Sequence, residues 1–285
     1  MNQRKTLSFT LALLLVSLSS AIGQEGKGDV VYVPTPQEVV EEMLRLANVG
    51  PKDYLIDLGS GDGRIVITAA KKFGARGLGV DLDTALLKVA RENAKKEGVA
   101  DRVRFVEQNL FETDLSKATV ISTYLLPEMN LKLRPKIFSL NAGTRVVMHD
   151  YHMDDWSPDE QRDIKVPEKK AGTPGVSYVY FWVVPEKVAG KWRTQLDIAG
   201  KETPCEIVFD QNFQILGGTL RAGSELVMLS GRVNGNEVKF TTESKANPAG
   251  ERREFNGRVS GGSITGTVRL GEGEAVREAK WSAKR

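Results

Sequence analysis

Residues 54–70, "YLIDLGSGDGRIVITAA", decide the reading of this chain. Residues 54–58 form a short apolar run of the kind that makes a buried parallel strand. Asp57 stands near its end, and Gly59, Gly61 and Gly63 follow at alternate positions. Residues 64–72 then carry a helical pattern. A glycine-rich turn between a buried strand and a helix brings backbone and a helix N-terminus close to a ligand.

Two common ligand readings fail in detail. The dinucleotide fingerprint G-x-G-x-x-G is met by Gly59 and Gly61, but its last position holds Arg64. The phosphate loop needs Gly-Lys-Ser/Thr, which is absent. S-adenosylmethionine remains. Asp57 offers a carboxylate to its ammonium. Gly59, Ser60, Gly61 and Gly63 let the backbone approach its methionyl part and sugar. Asp81 ends the next strand, "RGLGVDL", 24 residues after Asp57, with Leu82 beside it. An acid at that place can accept both ribose hydroxyls.

Working outward, the region from about Val39 to Val184 alternates helix and strand. Residues 36–47 have a helical apolar stripe, with Pro36 at the first helical position and Thr35 and Glu38 spaced as a capping box. "TALLKVARENAKKEG" reads as a helix ended by Gly98. "RVRFVEQ", "ATVISTY" and "GTRVVMHD" read as further strands, with a helix around Asn130–Leu140, and "SYVYFWVV" as a long β run. This order predicts an α/β, Rossmann-like sheet with helices on both faces. The charged stretch "DDWSPDEQRD", residues 154–163, reads as a loop over the site with Trp156 at its rim.

After Pro185 helical periods vanish and glycine turns recur every 8 to 12 residues. Residues 200–285 read as a small antiparallel all-β domain, a meander rolled into a barrel or half-barrel. A short internal repeat, residues 231–238 against 257–264, gives two matched hairpins. "GKWRTQLDI" can close either domain. The expected division is 1–23 leader, 24–199 catalytic domain and 200–285 β accessory domain.

Residues 1–23 have the three parts of a secretory signal. Arg4 and Lys5 precede an apolar run from Leu7 to Leu18, and Ala21-Ile22-Gly23 supplies the small residues before a cut near Gly23. The run is shorter than the ~20 residues of a spanning helix. We expect export to the periplasm or medium, with an uncleaved N-terminal anchor as the alternative and no spanning segment in the mature chain. The net charge of +3 falls to +1 without Arg4 and Lys5. That is no basic footprint for nucleic acid. One cysteine, Cys205, excludes an internal disulfide, and two histidines argue against a metal centre.

The pieces "VPTP…DLGSGDGRIVITAA…GLGVDLD…ATVISTYLLP…LRP" resemble the class I methyltransferases that modify lysines of the ATP synthase c-subunit and the adenine nucleotide translocase. More distantly they resemble DOT1-like histone lysine methyltransferases. The resemblance covers about residues 31–184 and implies a seven-stranded sheet, S-adenosylmethionine as donor and a protein lysine or other amine as acceptor. It implies that Tyr32, Pro34 and Thr35 fold over the cofactor. It places the acceptor at "TYLLP", where Thr123 and Tyr124 are the candidate catalytic residues. Many N-methyltransferases have Asn/Asp-Pro-Pro-aromatic there, which this chain lacks. Gln108 and Asn109 stand where relatives often have an aspartate against the adenine. His149 reads as structural. A small-molecule acceptor, or a binding protein with a passive methyltransferase fold, stays open.

Overall fold

The computed structural model describes residues 31–198, 200–243, 252–271 and 277–285. The expected leader, residues 1–23, lies outside them. The first unit is a seven-stranded sheet. Its parallel strands are β1 (Tyr54–Leu58), β2 (Arg76–Asp81), β3 (Val103–Glu107), β4 (Val120–Thr123) and β5 (Arg145–His149). β6 (Glu160–Val166) and β7 (Gly175–Val183) complete it, β7 antiparallel to both neighbours. The strand order is β3-β2-β1-β4-β5-β7-β6.

Adjacent strand residues feed opposite cores, as pleating requires. Leu55 and Val147 pack under α1 (Gln37–Leu46), α2 (Arg64–Phe73) and α3 (Thr84–Lys96). Ile56, Val146 and Met148 pack under α4 (Pro127–Phe138). α4 begins earlier than the sequence pattern places it, because Pro127 takes its first turn, where a missing N–H costs nothing.

Two local expectations are corrected. Thr35 does not cap α1. The N-cap is Pro36, without a side-chain bond, and Thr35 Oγ1 lies 3.1 Å from His149 Nδ1 instead. Residues 154–159 are irregular, as expected, but the rest of the stretch to 163 is not a loop. From Glu160 onward it forms edge strand β6, whose exposed charges discourage pairing with another chain. Trp156 is fully buried.

The second unit is a closed antiparallel barrel of eight strands: β8 (Gly190–Ile198), β9 (Lys201–Asn212), β10 (Ile215–Ala222), β11 (Glu225–Asn234), β12 (Glu237–Glu243), β13 (Arg253–Ser260), β14 (Ser263–Leu270) and β15 (Arg277–Lys284). The repeated segments are the hairpins β11–β12 and β13–β14. "GKWRTQLDI" is β8. It pairs with β9 and closes the ring against β15, so the barrel starts about ten residues before the expected boundary. Trp192, Phe209, Phe240, Phe255 and Trp281 fill its interior.

The barrel docks on the sheet through the turn between β9 and β10. Phe213 stacks on Trp156, centroids 5.3 Å apart, and Phe138 meets both edge-on. Gln214 Nε2 donates to the Ser157 carbonyl at 2.7 Å, and Arg232 pairs with Asp159. Among the described residues no helix is long and apolar enough to cross a membrane.

Candidate active site

The strand order reverses between β1 and β4, and a ligand crevice is expected beyond the strand ends there. A cavity of about 490 Å³ occupies that place, within the range of small-molecule sites. Of the residues singled out from sequence, Tyr32, Pro34, Thr35, Asp57, Gly59, Ser60, Asp81, Leu82, Gln108, Asn109 and Tyr124 line it. Leu110, Phe111, Leu125 and Met129 supply an apolar wall, and Lys132 also lines the cavity.

Gly61, Gly63 and Thr123 are not among the lining residues. Gly61 has φ 52°, and a Cβ on it would run into the Tyr32 ring. Its N–H donates to Asp81 Oδ2 at 2.8 Å. Gly63, at φ 79°, caps α2, and a Cβ there would sit 2.6 Å from Phe105 Cζ. Its place is helix–sheet packing. Thr123 is fully buried, and its Oγ1 lies 3.4 Å from Asn130 Oδ1 in α4.

The two acids differ in setting. Asp57 is buried and accepts from Ser122 Oγ at 2.7 Å. Burial first, then the charges of Asp81 and Asp62, push its carboxyl up to about 7. Asp81 accepts from Gly61 N and, at 3.0 Å, from Asp83 N. Asp83 in turn caps α3 by accepting from Ala85 N and Leu86 N.

One clamp was not legible from motif spacing. Arg64 Nε and Nη2 grip the Asp62 carboxylate at 3.0 and 2.6 Å, and Nη1 donates to the Thr35 carbonyl at 2.8 Å. The segment 32–35 is thereby fastened to the glycine turn. Burial alone would raise the Asp62 carboxyl, but Arg64 holds it below the usual range. Tyr32 is pushed up to about 12, by burial foremost and then by Asp62.

His149 is held between Thr35 Oγ1 and, at 2.9 Å, Ser177 Oγ. Burial pushes its imidazole down to about 4, so it is neutral at physiological pH and serves packing. The Tyr124 ring lies against it, centroids 4.0 Å apart. The Tyr124 hydroxyl donates to Asp150 Oδ2 at 3.0 Å.

Comparison with known proteins places this geometry. Residues 57–160 match the family model described as the ANTKMT methyltransferase domain. The protein-lysine N-methyltransferase of Saccharolobus islandicus is 42% identical over 159 residues, covering 55% of this chain and 95% of that protein. The adenine nucleotide translocase lysine N-methyltransferase of Mus musculus is 34% identical over 131 residues, 45% of this chain and 56% of that one. The chain thus spans about half the length of the latter type. A solved structure from Salinibacter ruber, titled an RNA methyltransferase in complex with S-adenosyl-L-homocysteine, is 51% identical. It covers 55% of this chain and 96% of its own, with a TM-score of 0.49.

Proposed function

This chain belongs to the protein-lysine N-methyltransferase family, and from that premise we propose that it transfers a methyl group from S-adenosylmethionine to a protein lysine. The observation that carries the reading is the pair Asp57 and Asp81, set at the ends of adjacent strands on one cavity with the glycine turn between them. The fit is chemical. Asp57 matches an ammonium. Asp81 has one backbone N–H on each oxygen, and each oxygen keeps a lone pair for a ribose hydroxyl. The apolar wall from Leu110 to Met129 suits a base and a thioether chain.

Bound there, S-adenosylmethionine supplies a sulfonium methyl, and the N–C bond forms as the S–C electron pair returns to sulfur. The protein's own task is placement. A lysine must first shed its proton to water, which a desolvated cavity favours. Tyr124 and the apolar wall form that surface.

Titration calorimetry with S-adenosylhomocysteine tests the site. We expect wild-type protein to bind and folded Asp81→Ala to lose about 2–4 kcal/mol of affinity. Equal affinity in the two proteins would remove Asp81 from the site.

We further propose that the leader exports the enzyme, on the strength of its tripartite pattern. N-terminal sequencing of the chain purified from cells tests this: a start at Gln24 supports cleavage, and an intact Met1 in the membrane fraction favours the anchor.

A further inference from the structure

We propose that the buried Asp150–Lys169 ion pair is a positioning device that fixes the sense of the Tyr124 hydrogen bond, so that the Tyr124 oxygen accepts an N–H from the methyl-acceptor amine. The proposal rests on the lysine methyltransferase reading and adds residues to it that no motif marks.

The geometry is saturated around one carboxylate. Asp150 follows β5 directly and has φ 62°, a conformation rare for a residue with a side chain. Its Oδ1 accepts from Lys169 Nζ at 2.6 Å and from Tyr178 N at 3.1 Å, and its Oδ2 accepts from Tyr124. Both charged side chains are almost wholly buried, at 4% and 3% exposure. Lys169 also donates to the Val176 carbonyl at 2.6 Å, which fixes it in the turn between β6 and β7. A Cβ on Gly172 would lie 2.8 Å from Asp150 Oδ2, so that turn closes over the carboxylate. A buried ion pair is a weak source of stability and often can be replaced by apolar residues. Placed beside the cavity, it has a different consequence.

Asp150, ion-paired with Lys169, accepts at both oxygens. The Tyr124 proton is therefore committed to it, and the phenolic oxygen keeps its lone pairs. Burial first, and then the Asp150 charge, hold the phenol far above its ordinary range, so it stays protonated. A neutral amine has one lone pair and two N–H groups. An oxygen that accepts an N–H leaves the lone pair free for the methyl group. A hydroxyl that donated instead would occupy that lone pair and block transfer. This is how the site replaces the Asn/Asp-Pro-Pro-aromatic segment that the chain lacks.

The test uses Tyr124→Phe, Asp150→Asn and the double variant of the full chain. Two readouts are taken: tritium transfer from labelled S-adenosylmethionine to lysine in cell-extract protein, and binding of Nα-acetyl-lysine amide to the S-adenosylhomocysteine complex by saturation-transfer NMR. We expect Tyr124→Phe to lower kcat and probe affinity by about tenfold, the loss of one hydrogen bond, with cofactor affinity unchanged. Asp150→Asn should cost more, because the amide N–H it introduces donates to the phenolic oxygen and turns the hydroxyl toward the amine. The double variant should be no slower than Asp150→Asn alone, since the misdirected hydroxyl is gone. A folded Tyr124→Phe with wild-type rate and probe binding overturns the proposal. Full additivity of the two losses overturns it too, as that is what a purely structural Asp150 gives. Wild-type protein that neither labels lysine nor binds the probe brings down the lysine reading itself, and the proposal with it.

Discussion

Arg64 Nη1 donates to the Thr35 carbonyl at 2.8 Å, tying the segment before α1 to the turn that begins α2. Arg64 occupies the place where a dinucleotide site has its third glycine. Here that place holds a clamp, gripping Asp62 with two nitrogens and the overlying segment with the third.

The first prediction follows from that clamp. Arg64→Ala should release Tyr32 from its seat over Gly61 and weaken S-adenosylhomocysteine about tenfold, mostly through faster dissociation. Stability should fall by less than about 1 kcal/mol, because the Arg64–Asp62 pair is partly exposed. Stopped-flow fluorescence and a urea melt check both. Unchanged dissociation would show that the segment is held by other contacts.

Asp57 should couple ligand affinity to pH. A cationic ligand needs the ionised carboxylate, so affinity should fall as pH drops below about 7. Calorimetry at pH 6 and 8 measures this, and a flat profile with intact binding would mean that Asp57 is not opposite the ligand's positive charge.

The same group governs stability in the opposite sense. Its folded pKa of about 7 lies above the ordinary 3.8, so the fold binds more protons between them and loses stability as pH rises through that window. Asp57→Asn should therefore melt higher than wild type at pH 8, by up to about 4 kcal/mol, while binding no cofactor. His149 works the other way. Its folded pKa of about 4 lies below 6.5, so its contribution is complete above pH 6.5 and is lost as pH falls toward 4. With Asp57 removed, that loss is unopposed, and the variant should be more acid-sensitive than wild type. A variant that melts below wild type at pH 8 would contradict the assignment.

Two of the turn's glycines should separate by function. Gly63→Ala should destabilise the fold by about 2–4 kcal/mol, through positive φ and overlap with Phe105. Gly61→Ala should leave the sheet intact and weaken ligand binding at least tenfold, because its Cβ displaces Tyr32. Thermal melts and calorimetry on the two proteins distinguish them. Equal loss of stability in both would contradict the division.

A chain ending at Pro185 should still bind S-adenosylhomocysteine, while one ending at Ile198 should aggregate. The longer one retains β8 without its barrel partners, an unpaired strand with Trp192 uncovered. Phe213→Ala in the full chain should cost about 2 kcal/mol by leaving Trp156 without its stacking partner. Failure of the shorter chain to bind, when soluble and folded, would mean that the barrel completes the site.

Much of this architecture could be read from local pattern. The strand at residues 54–58 agrees with the observed β1, and Asp57 and Asp81 sit on one cavity as their spacing implied. What local pattern missed depends on tertiary contact. β6 is charged, and a charged edge strand has no apolar alternation to announce it. Trp156 reads as a rim residue until Phe213, 57 positions later in the sequence, is seen stacked on it. Thr35 and Glu38 have the spacing of a capping box, but His149 supplies a partner from 114 residues away. Lys169 lies in a turn with no motif, and only the fold brings it to Asp150. The boundary near residue 199 missed β8, because strand composition does not say which sheet a strand joins.

The most direct measurement is the fate of tritium from S-[methyl-³H]-adenosylmethionine given to the purified full chain with extract of its own cells. The products are separated into protein, RNA and small molecules, and the protein is hydrolysed for amino-acid analysis. We expect label in the protein fraction as methylated lysine, present with wild-type protein and absent with Asp81→Ala. Label confined to RNA or to small molecules, or no transfer by protein that binds the cofactor, would contradict the assignment.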